Sequence, residues 1–136
     1  MKFNPYLSFN GQCEAAFKFY EQCLGGKVEV TMPYEGSPMA DQVSPEWGNK
    51  VMHSEFRLGE QVFMGSDCMP EQYEKPQGNA IMLQIDDPSK AEHIFQALSE
   101  NGTVKMPIQE TFWAARFGAL VDQFGIPWMI NCDKTA

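Results

Sequence analysis

The side chains best suited to chemistry are concentrated in one strand-like segment, residues 51–58. Alternation along a strand places His53, Glu55 and Arg57 on one face, opposite a face that carries apolar residues. Histidine changes its charge near neutral pH, so His53 could transfer a proton to or from a ligand as a general acid or base. The alternative is a structural histidine, with Glu55 and Arg57 neutralising each other across the sheet.

Two further candidates lie in neighbouring predicted strands. Asp67 follows a second strand-like segment, where it could accept a hydrogen bond from a ligand or orient His53. An aspartate at such a place also commonly forms a turn, which is the competing interpretation. Tyr6 lies in the first predicted strand and is counted, with Glu55 and Arg57, among the ligand-binding residues.

A tryptophan and an arginine near the end of the chain form another candidate contact. We place Trp113 and Arg116 in a loop just before a strand. A large aromatic ring beside a cation suits a ligand with an anionic or planar group. The alternative is that Phe112 and Trp113 fill a contact between two subunits. The second histidine, His93, lies off the apolar stripe of a predicted helix and is expected to be solvated.

These residues must be positioned by a unit that occurs twice in the sequence. At an offset of 76 residues (83 − 7), similar residues coincide without a gap: Leu7 with Leu83, Phe9 with Ile85, Ala15 with Ala91, Phe19 with Phe95, Gly26 with Gly102 and Val28 with Val104. Each half reads as a strand, a helix with a glycine stop, and three more strands. The sequence therefore predicts an α+β fold of two βαβββ modules.

The ends of the two predicted helices carry different signals. Asn10 is expected to cap the first helix, which runs to about Leu24 and stops at Gly25-Gly26. Asp87 and Pro88 are expected to begin the second helix. The buried stripes are predicted to be Ala16, Phe19, Tyr20 and Cys23 in the first helix and Ala91, Ile94, Phe95 and Leu98 in the second.

The domain organisation follows from this repeat. We expect a single domain over residues 1–136, with module 1 at about 1–68, a linker at 69–78 and module 2 at about 79–136. Pairing of the two curved mixed sheets would close a mostly apolar cleft, where a small ligand can bind. Residues 33–50 form a longer loop, of a length more typical of lids and binding loops than of simple connections.

The composition limits the classes of partner and location. The net charge of −8 argues against nucleic acid and anionic membrane surfaces, because little in the chain would neutralise phosphates. No apolar run approaches the roughly 18 residues of a spanning helix, and no signal-peptide core is visible. We therefore expect a cytoplasmic protein. The four cysteines form no CxxC pair and are expected to be free thiols.

Taken together, the motifs resemble those of the PhnB-like family of the vicinal-oxygen-chelate (glyoxalase/bleomycin-resistance/dioxygenase) superfamily. The matching stretches, in order, are Pro5-Tyr6-Leu7-x-Phe9-Asn10-Gly11, Glu14-Ala15, Phe19-Tyr20, Gly25-Gly26, Val51-Met52-His53, Ser66-Asp67, Val104-x-Met106-Pro107, Phe112-Trp113, Phe117-Gly118 and Asp122-x-Phe124-Gly125-x-x-Trp128-Met129-x-Asn131. The resemblance implies the paired βαβββ fold and a homodimer. The superfamily includes metal-dependent lyases, isomerases and dioxygenases, and also proteins that sequester antibiotics without chemistry.

The PhnB-like branch is also labelled 3-demethylubiquinone-9 3-methyltransferase-like. The sequence has no glycine-rich strand-to-helix loop followed by an acidic residue, which is the usual cradle for a nucleotide moiety. We therefore expect no nucleotide-containing cofactor.

The superfamily's metal ligands, usually His or Glu on four strands, can be traced by the same resemblance. The four positions fall on Asn4 or Pro5, on Phe63 or Met64, on Ala80 and on Met129. None of these supplies an imidazole or carboxylate, so no metal ligand is assigned and no cofactor is expected. An atypical divalent site at His53 with Asp67 or Glu55 is the alternative.

These observations give one functional hypothesis and two rivals. The first is a small-molecule-binding protein without the usual metal site, which either sequesters its ligand or acts on it by acid–base chemistry at His53. The second is a metal-dependent lyase, isomerase or dioxygenase with displaced ligands. The third is a non-catalytic dimeric structural protein.

Overall fold

The computed structural model describes residues 1–135, which divide into two compact units between Glu74 and Lys75. The first unit consists of β1 (Tyr6–Phe9), α1 (Cys13–Leu24), β2 (Lys27–Pro33), β3 (Val51–Leu58) and β4 (Gln61–Asp67). The second consists of β5 (Ile81–Gln84), α2 (Pro88–Ser99), β6 (Thr103–Gln109), β7 (Ala114–Val121) and β8 (Pro127–Asp133). The predicted α+β class and the two βαβββ modules are confirmed.

The two sheets have the same topology. Their strand orders are β1-β4-β3-β2 and β5-β8-β7-β6, and in each the first strand runs parallel to the last while the other neighbours are antiparallel. The register repeats as well. Lys27 pairs with Arg57 in the first sheet, and Thr103, 76 residues beyond Lys27, pairs with Val121 in the second. The internal repeat therefore specifies equivalent positions, not merely equivalent elements.

Helix α1 packs its apolar stripe on one face of the first sheet. Its buried residues are Cys13, Ala16, Phe17 and Tyr20, which follow helical spacing. The ring of Phe17 lies 5.4 Å from that of Phe63 and 5.9 Å from that of Phe9, both in edge-to-face contact. The sequence prediction placed Phe19 and Cys23 in this stripe, but both are only partly buried, because the stripe is centred on Phe17.

The start of α1 differs from the prediction. Its N-cap residue is Gln12, whose side chain makes no capping hydrogen bond, so Asn10 does not cap the helix. The Cys13 N–H instead donates to the carboxylate of Asp67, at the end of β4, over 2.9 Å. A remote strand thus supplies the acceptor that a local side chain usually provides. At the other end, Gly25 adopts the predicted left-handed conformation with φ of 84°.

Helix α2 begins and packs as its sequence predicts. The Asp87 carboxylate accepts from the Ser89 N–H over 3.0 Å, and Pro88 occupies the first turn. The buried stripe is the predicted one, with Ala91, Ile94, Phe95 and Leu98. Leu120, Trp128 and Ile130 are also buried in this second core.

The long connection between β2 and β3 is a closed, compact loop. The N–H groups of Tyr34 and Glu35 donate to the carbonyl oxygens of Lys50 and Gly48, over 3.1 and 2.9 Å. Lys50 also donates from Nζ to the Gly11 carbonyl oxygen over 3.1 Å. These bonds hold both ends of the loop against the first unit.

The four cysteines are free thiols. Within residues 1–135, neither helix has the length and apolar character required to cross a bilayer.

Candidate functional site

The face of the first sheet opposite α1 carries most of the candidate residues, and we call it the histidine face. It is formed by Tyr6, Met32, His53, Glu55, Arg57, Val62 and Met64, which the strand register places side by side. The intervening residues Ser54 and Phe56 point to α1 and are buried. The predicted alternation of β3 is thus confirmed for His53, Glu55 and Arg57.

Three polar side chains of this face form a hydrogen-bonded chain. The Tyr6 hydroxyl lies 3.1 Å from Nδ1 of His53, and Nε2 of His53 lies 3.0 Å from Oε2 of Glu55. Because β4 lies between β1 and β3, the Tyr6 side chain crosses over β4 to reach the imidazole. The side chains of His53 and Glu55 are 22% and 33% exposed, and Tyr6 is 51% exposed. The hydrogen-bonded series is therefore accessible to solvent at Tyr6.

Arg57 does not neutralise Glu55, contrary to one interpretation of the sequence. Its Nε lies 2.9 Å from Oε1 of Glu29, on the neighbouring strand β2. The register shift between Val28 and Val30 makes Glu29 a bulge residue, which brings its carboxylate to Arg57. Glu55 is consequently free to pair with His53.

A shallow polar groove lies at the hairpin end of the same sheet. It has a volume of about 590 Å³ and is lined in part by Lys2, Asn4, Arg57, Glu60 and Val62. Arg57 lies four residues beyond His53 along β3, a distance of about 13 Å at the usual rise per strand residue. The groove therefore lies at the Arg57 end of the histidine face, away from His53.

Asp67 is on the other side of the sheet and has structural partners. It is 1% exposed, and its two carboxylate oxygens accept from the N–H groups of Cys13 and Val51, each over 2.9 Å. Its main-chain carbonyl oxygen accepts from the Tyr34 hydroxyl over 2.6 Å. Asp67 does not orient His53; Tyr6 and Glu55 do. Burial, and then the Asp67 charge, raise the pKa of Tyr34.

Trp113 and Arg116 are not brought together. Strand β7 begins at Ala114, so Arg116 is a strand residue and not, as predicted, a loop residue. Its Nε lies 2.6 Å from Oε1 of Glu92 on α2, and this hydrogen bond raises the pKa of the guanidinium. The Trp113 ring instead lies 5.4 Å from that of Phe117, which alternation places on the opposite face from Arg116.

The positions that resemble the superfamily's metal ligands do not fit a metal. Tyr6 pairs with Met64 in the first sheet and Met82 with Met129 in the second, so Met64 and Met129 are equivalent by register. Asn4 and Ala80 lie two residues before Tyr6 and Met82. An amide, a methyl group and two thioethers are poor ligands for the usual divalent ions.

The atypical alternative also lacks a full set of ligands. His53 and Glu55 are adjacent, but Asp67 lies across the sheet from them. Over the part of the chain that the structure covers, residues 1–135, no three His, Cys, Asp or Glu side chains are grouped as a metal site requires.

Sequence reasoning missed the partners that decide what each charged residue can do. Glu29 and Glu92 engage the two arginines, and neither stood out by spacing alone. Tyr6 was named as a ligand contact, but its bond to His53 depends on the parallel pairing of β1 with β4. The signal available in the sequence was the family resemblance, which implies that pairing.

Comparison with known proteins places the chain in a family. The family described as 3-demethylubiquinone-9 3-methyltransferase matches residues 1–131. Protein YjdN of Escherichia coli (strain K12) is 33% identical over 142 residues, covering 98% of this chain and 97% of YjdN. The crystal structure of protein PA1353 from Pseudomonas aeruginosa has 42% identity and a TM-score of 0.90, covering 99% of each chain.

More distant structures share the fold. A putative 3-demethylubiquinone-9 3-methyltransferase, PhnB protein, from Bacillus cereus has 22% identity and a TM-score of 0.82, covering 97% of this chain and 99% of its own. A glyoxylase/bleomycin resistance protein/dioxygenase domain from Frankia sp. EAN1pec has 12% identity and a TM-score of 0.67, covering 98% of each chain. The chain therefore belongs to the 3-demethylubiquinone-9 3-methyltransferase (PhnB) family and has the glyoxalase/bleomycin resistance/dioxygenase fold.

Proposed function

We propose that the chain is a small-molecule-binding protein whose ligand lies on the histidine face, where His53 takes part in proton transfer. The observation that carries this proposal is the Tyr6–His53–Glu55 chain of hydrogen bonds. A histidine held between a hydroxyl and a carboxylate has the partners that acid–base catalysis requires. The same face could also bind a ligand without chemistry, which is the sequestering form of the proposal.

The energetics favour a role in binding over a role in folding. Hydrogen bonds among accessible side chains contribute only about 0.5 kcal/mol each to stability, because water competes for the same groups. Asp67, whose partners are fully buried, stabilises the first unit far more effectively. Three ordered polar side chains on an accessible face are better explained by a ligand.

The family description names a methyl transfer, which we do not extend to this chain. The histidine face supplies a proton-transfer group and an ion pair between Arg57 and Glu29, not a cradle for a nucleotide-containing methyl donor. The proposal is limited to binding and proton transfer.

A thermal-shift screen tests the proposal. A panel of drug-sized carbonyl, hydroxyl, carboxylate and planar aromatic compounds is tested against the wild type, His53→Phe and the matched control His93→Phe. We expect at least one compound to raise the Tm of the wild type and of the control, because a ligand that binds only the folded state stabilises it. The shift should be lost in His53→Phe. An equal shift in all three proteins would place the ligand elsewhere.

Metal analysis separates this proposal from its enzymatic rival. Protein purified without a metal-affinity tag should contain no stoichiometric divalent metal. One equivalent of Zn, Ni, Mn or Fe that is lost in His53→Ala would favour a metal-dependent lyase, isomerase or dioxygenase and overturn the metal-free proposal.

We also propose that the protein is a homodimer. In the second sheet, an apolar row crosses all four strands in the order Met82, Met129, Ala119 and Met106. Met82 and Met106 are 51% and 44% exposed, and a monomer seldom leaves such a patch uncovered. Light scattering during size exclusion should give the mass of two chains; the mass of one chain would contradict the proposal.

A further inference from the structure

We infer that Tyr6, and not His53, is the catalytic residue that touches the ligand, and that His53 and Glu55 act through it as a proton relay. This inference rests on the proposed function, because it assigns the atoms that meet the ligand on the histidine face. It also names a ligand class: small molecules with an acidic hydrogen or an electrophilic centre that a phenolic oxygen can reach.

The hydrogen bonds fix the tautomer of the neutral imidazole. A carboxylate has no hydrogen to donate, so the bond between Glu55 and Nε2 of His53 requires the hydrogen on Nε2. Nδ1 then carries the lone pair and accepts from the Tyr6 hydroxyl. Tyr6 therefore donates to His53, and His53 donates to Glu55.

This arrangement leaves no free nitrogen on His53 for a ligand. One ring nitrogen is bound to Tyr6 and the other to Glu55, over 3.1 and 3.0 Å. The Tyr6 hydroxyl donates its single hydrogen to His53 but retains acceptor capacity for another group. Tyr6 is also the most exposed member of the chain, at 51% of its surface. The end of the chain that a ligand can meet is the phenolic oxygen.

The chemistry that follows is balanced within the three side chains. When the phenolic oxygen adds to a carbonyl carbon, the π electron pair of the C=O bond moves to the carbonyl oxygen. When it takes a proton from an acidic ligand, the bonding electron pair stays on the ligand. In both cases the phenolic proton passes to Nδ1 of His53. The ring becomes an imidazolium, whose charge is opposite to that of the Glu55 carboxylate 3.0 Å away. This is the logic of a nucleophile, a base and an orienting acid, with a tyrosine as the first member.

An arylsulfonyl fluoride provides the test, because no natural ligand is needed. The Tyr6 oxygen attacks sulfur, the O–S bond forms, the S–F bond breaks, fluoride leaves and the phenolic proton goes to His53. Mass spectrometry of a digest measures the labelling rate at Tyr6 and, in the same sample, at Tyr34 and Tyr73. Exposure alone can make Tyr6 react first, so the decisive quantity is the ratio of the Tyr6 rates in the wild type and in His53→Gln.

We expect this ratio to be at least about tenfold, since a positioned base commonly contributes 10²-fold or more. Glu55→Gln should lower the Tyr6 rate by a smaller factor, because glutamine still accepts from Nε2 but does not balance the imidazolium charge. The matched control His93→Gln should leave the rate unchanged. Each variant is first checked for the wild-type circular dichroism spectrum and Tm.

Equal Tyr6 rates in the wild type and His53→Gln would overturn the relay. Its failure is distinguishable from failure of the proposed function. A ligand that still raises the Tm through the histidine face would leave binding intact while removing the role of Tyr6. A His53-dependent Tyr6 rate without any binding compound would support the relay and count against the proposed ligand site.

Discussion

The two sheets have one register but differ in the faces that their helices leave uncovered. Across the first sheet the row reads Tyr6, Met64, Glu55, Val30, and across the second the equivalent row reads Met82, Met129, Ala119, Met106. His53 corresponds to Phe117, since each lies two residues before a member of its row. The helix-side faces of both sheets are largely apolar. On the other face, the first sheet has His53 and Glu55 where the second has Phe117 and Ala119.

This difference indicates which positions serve the fold and which serve function. A duplicated unit must bury one face of each sheet against its helix, so the helix side is constrained in both copies. The other faces are free to differ. The polar triad on the first face is therefore not a requirement of the βαβββ unit, because the second unit folds with methionine, phenylalanine and alanine at the same positions.

The largest effect is expected where the two units cap their helices differently. Cys13 and Ser89 are 76 residues apart, and each donates its N–H to a carboxylate, of Asp67 and of Asp87 respectively. Asp67→Ala leaves two buried N–H groups unpaired and should lower the free energy of unfolding by about 3–4 kcal/mol. Asp87→Ala, an exposed local cap, should cost only about 1 kcal/mol. Urea denaturation measures both, and equal losses would contradict the distinction.

The next effect concerns a feature that the two units share, a glycine in the turn after the helix that has no room for a methyl group. A methyl group added at Gly26 would lie 2.5 Å from the Phe56 ring, and one added at Gly102 would lie 2.5 Å from the Val121 carbonyl oxygen. Neither glycine has a positive φ, so the cost is steric. Gly26→Ala and Gly102→Ala should each destabilise by about 2 kcal/mol in the same assay. If one glycine tolerates alanine without loss, the turns that follow the two helices do not pack equivalently against β3 and β7.

A smaller effect concerns the buried thiol of the first unit. Burial raises the pKa of Cys13, and the charges of Asp67 and Glu14 act in the same direction. The unfolded thiol loses its proton above its ordinary value of 9.0, whereas the folded thiol keeps it. The contribution of the Cys13 thiol to the free energy of unfolding is thus fully present below pH 9. It decreases as the pH rises, by about 1 kcal/mol at pH 10.

Urea denaturation at pH 8 and pH 10 should show this loss in the wild type. In Cys13→Ala the decrease between the two pH values should be smaller by about the same amount, whatever the variant's stability at pH 8. An unchanged decrease would mean that Cys13 ionises as readily in the folded protein as in the unfolded chain.

The smallest effect is expected when the first face is converted toward the second. His53→Phe introduces the residue type of Phe117 at the equivalent position and removes two accessible hydrogen bonds. We expect the free energy of unfolding to change by less than about 1 kcal/mol. A loss above about 2 kcal/mol would identify His53 as a structural residue, which is the alternative that the sequence left open.

The fold could be predicted from the sequence because local patterns of residues determine most of its elements. The offset of 76 residues, the cap at Asp87 and the glycine stop at Gly25 each have a physical reason within a few residues. The cap of α1 was mispredicted because its acceptor, Asp67, lies 54 residues away.

The candidate site was less predictable because pairing across the sheet decides it. Alternation correctly placed His53, Glu55 and Arg57 on one face. It did not predict the bulge that brings the Glu29 carboxylate to Arg57. Trp113 and Arg116 were grouped by proximity in the sequence, and an early start of β7 places them on different faces. Side chains two or three residues apart cannot be assigned to one site until the strand boundary between them is known.

The hydrogen bonds of His53 can be measured directly, and a second histidine in the same protein provides the control. His93 is exposed on α2, so a long-range ¹H–¹⁵N spectrum of the imidazole rings compares the two histidines in one sample. We predict a protected, downfield Nε2–H signal for His53 that disappears in Glu55→Ala, an Nδ1 signal that shifts in Tyr6→Phe, and neither change for His93. The hydrogen bonds to Tyr6 and Glu55 would be contradicted if the His53 N–H exchanged as fast as that of His93 and neither substitution changed the His53 signals.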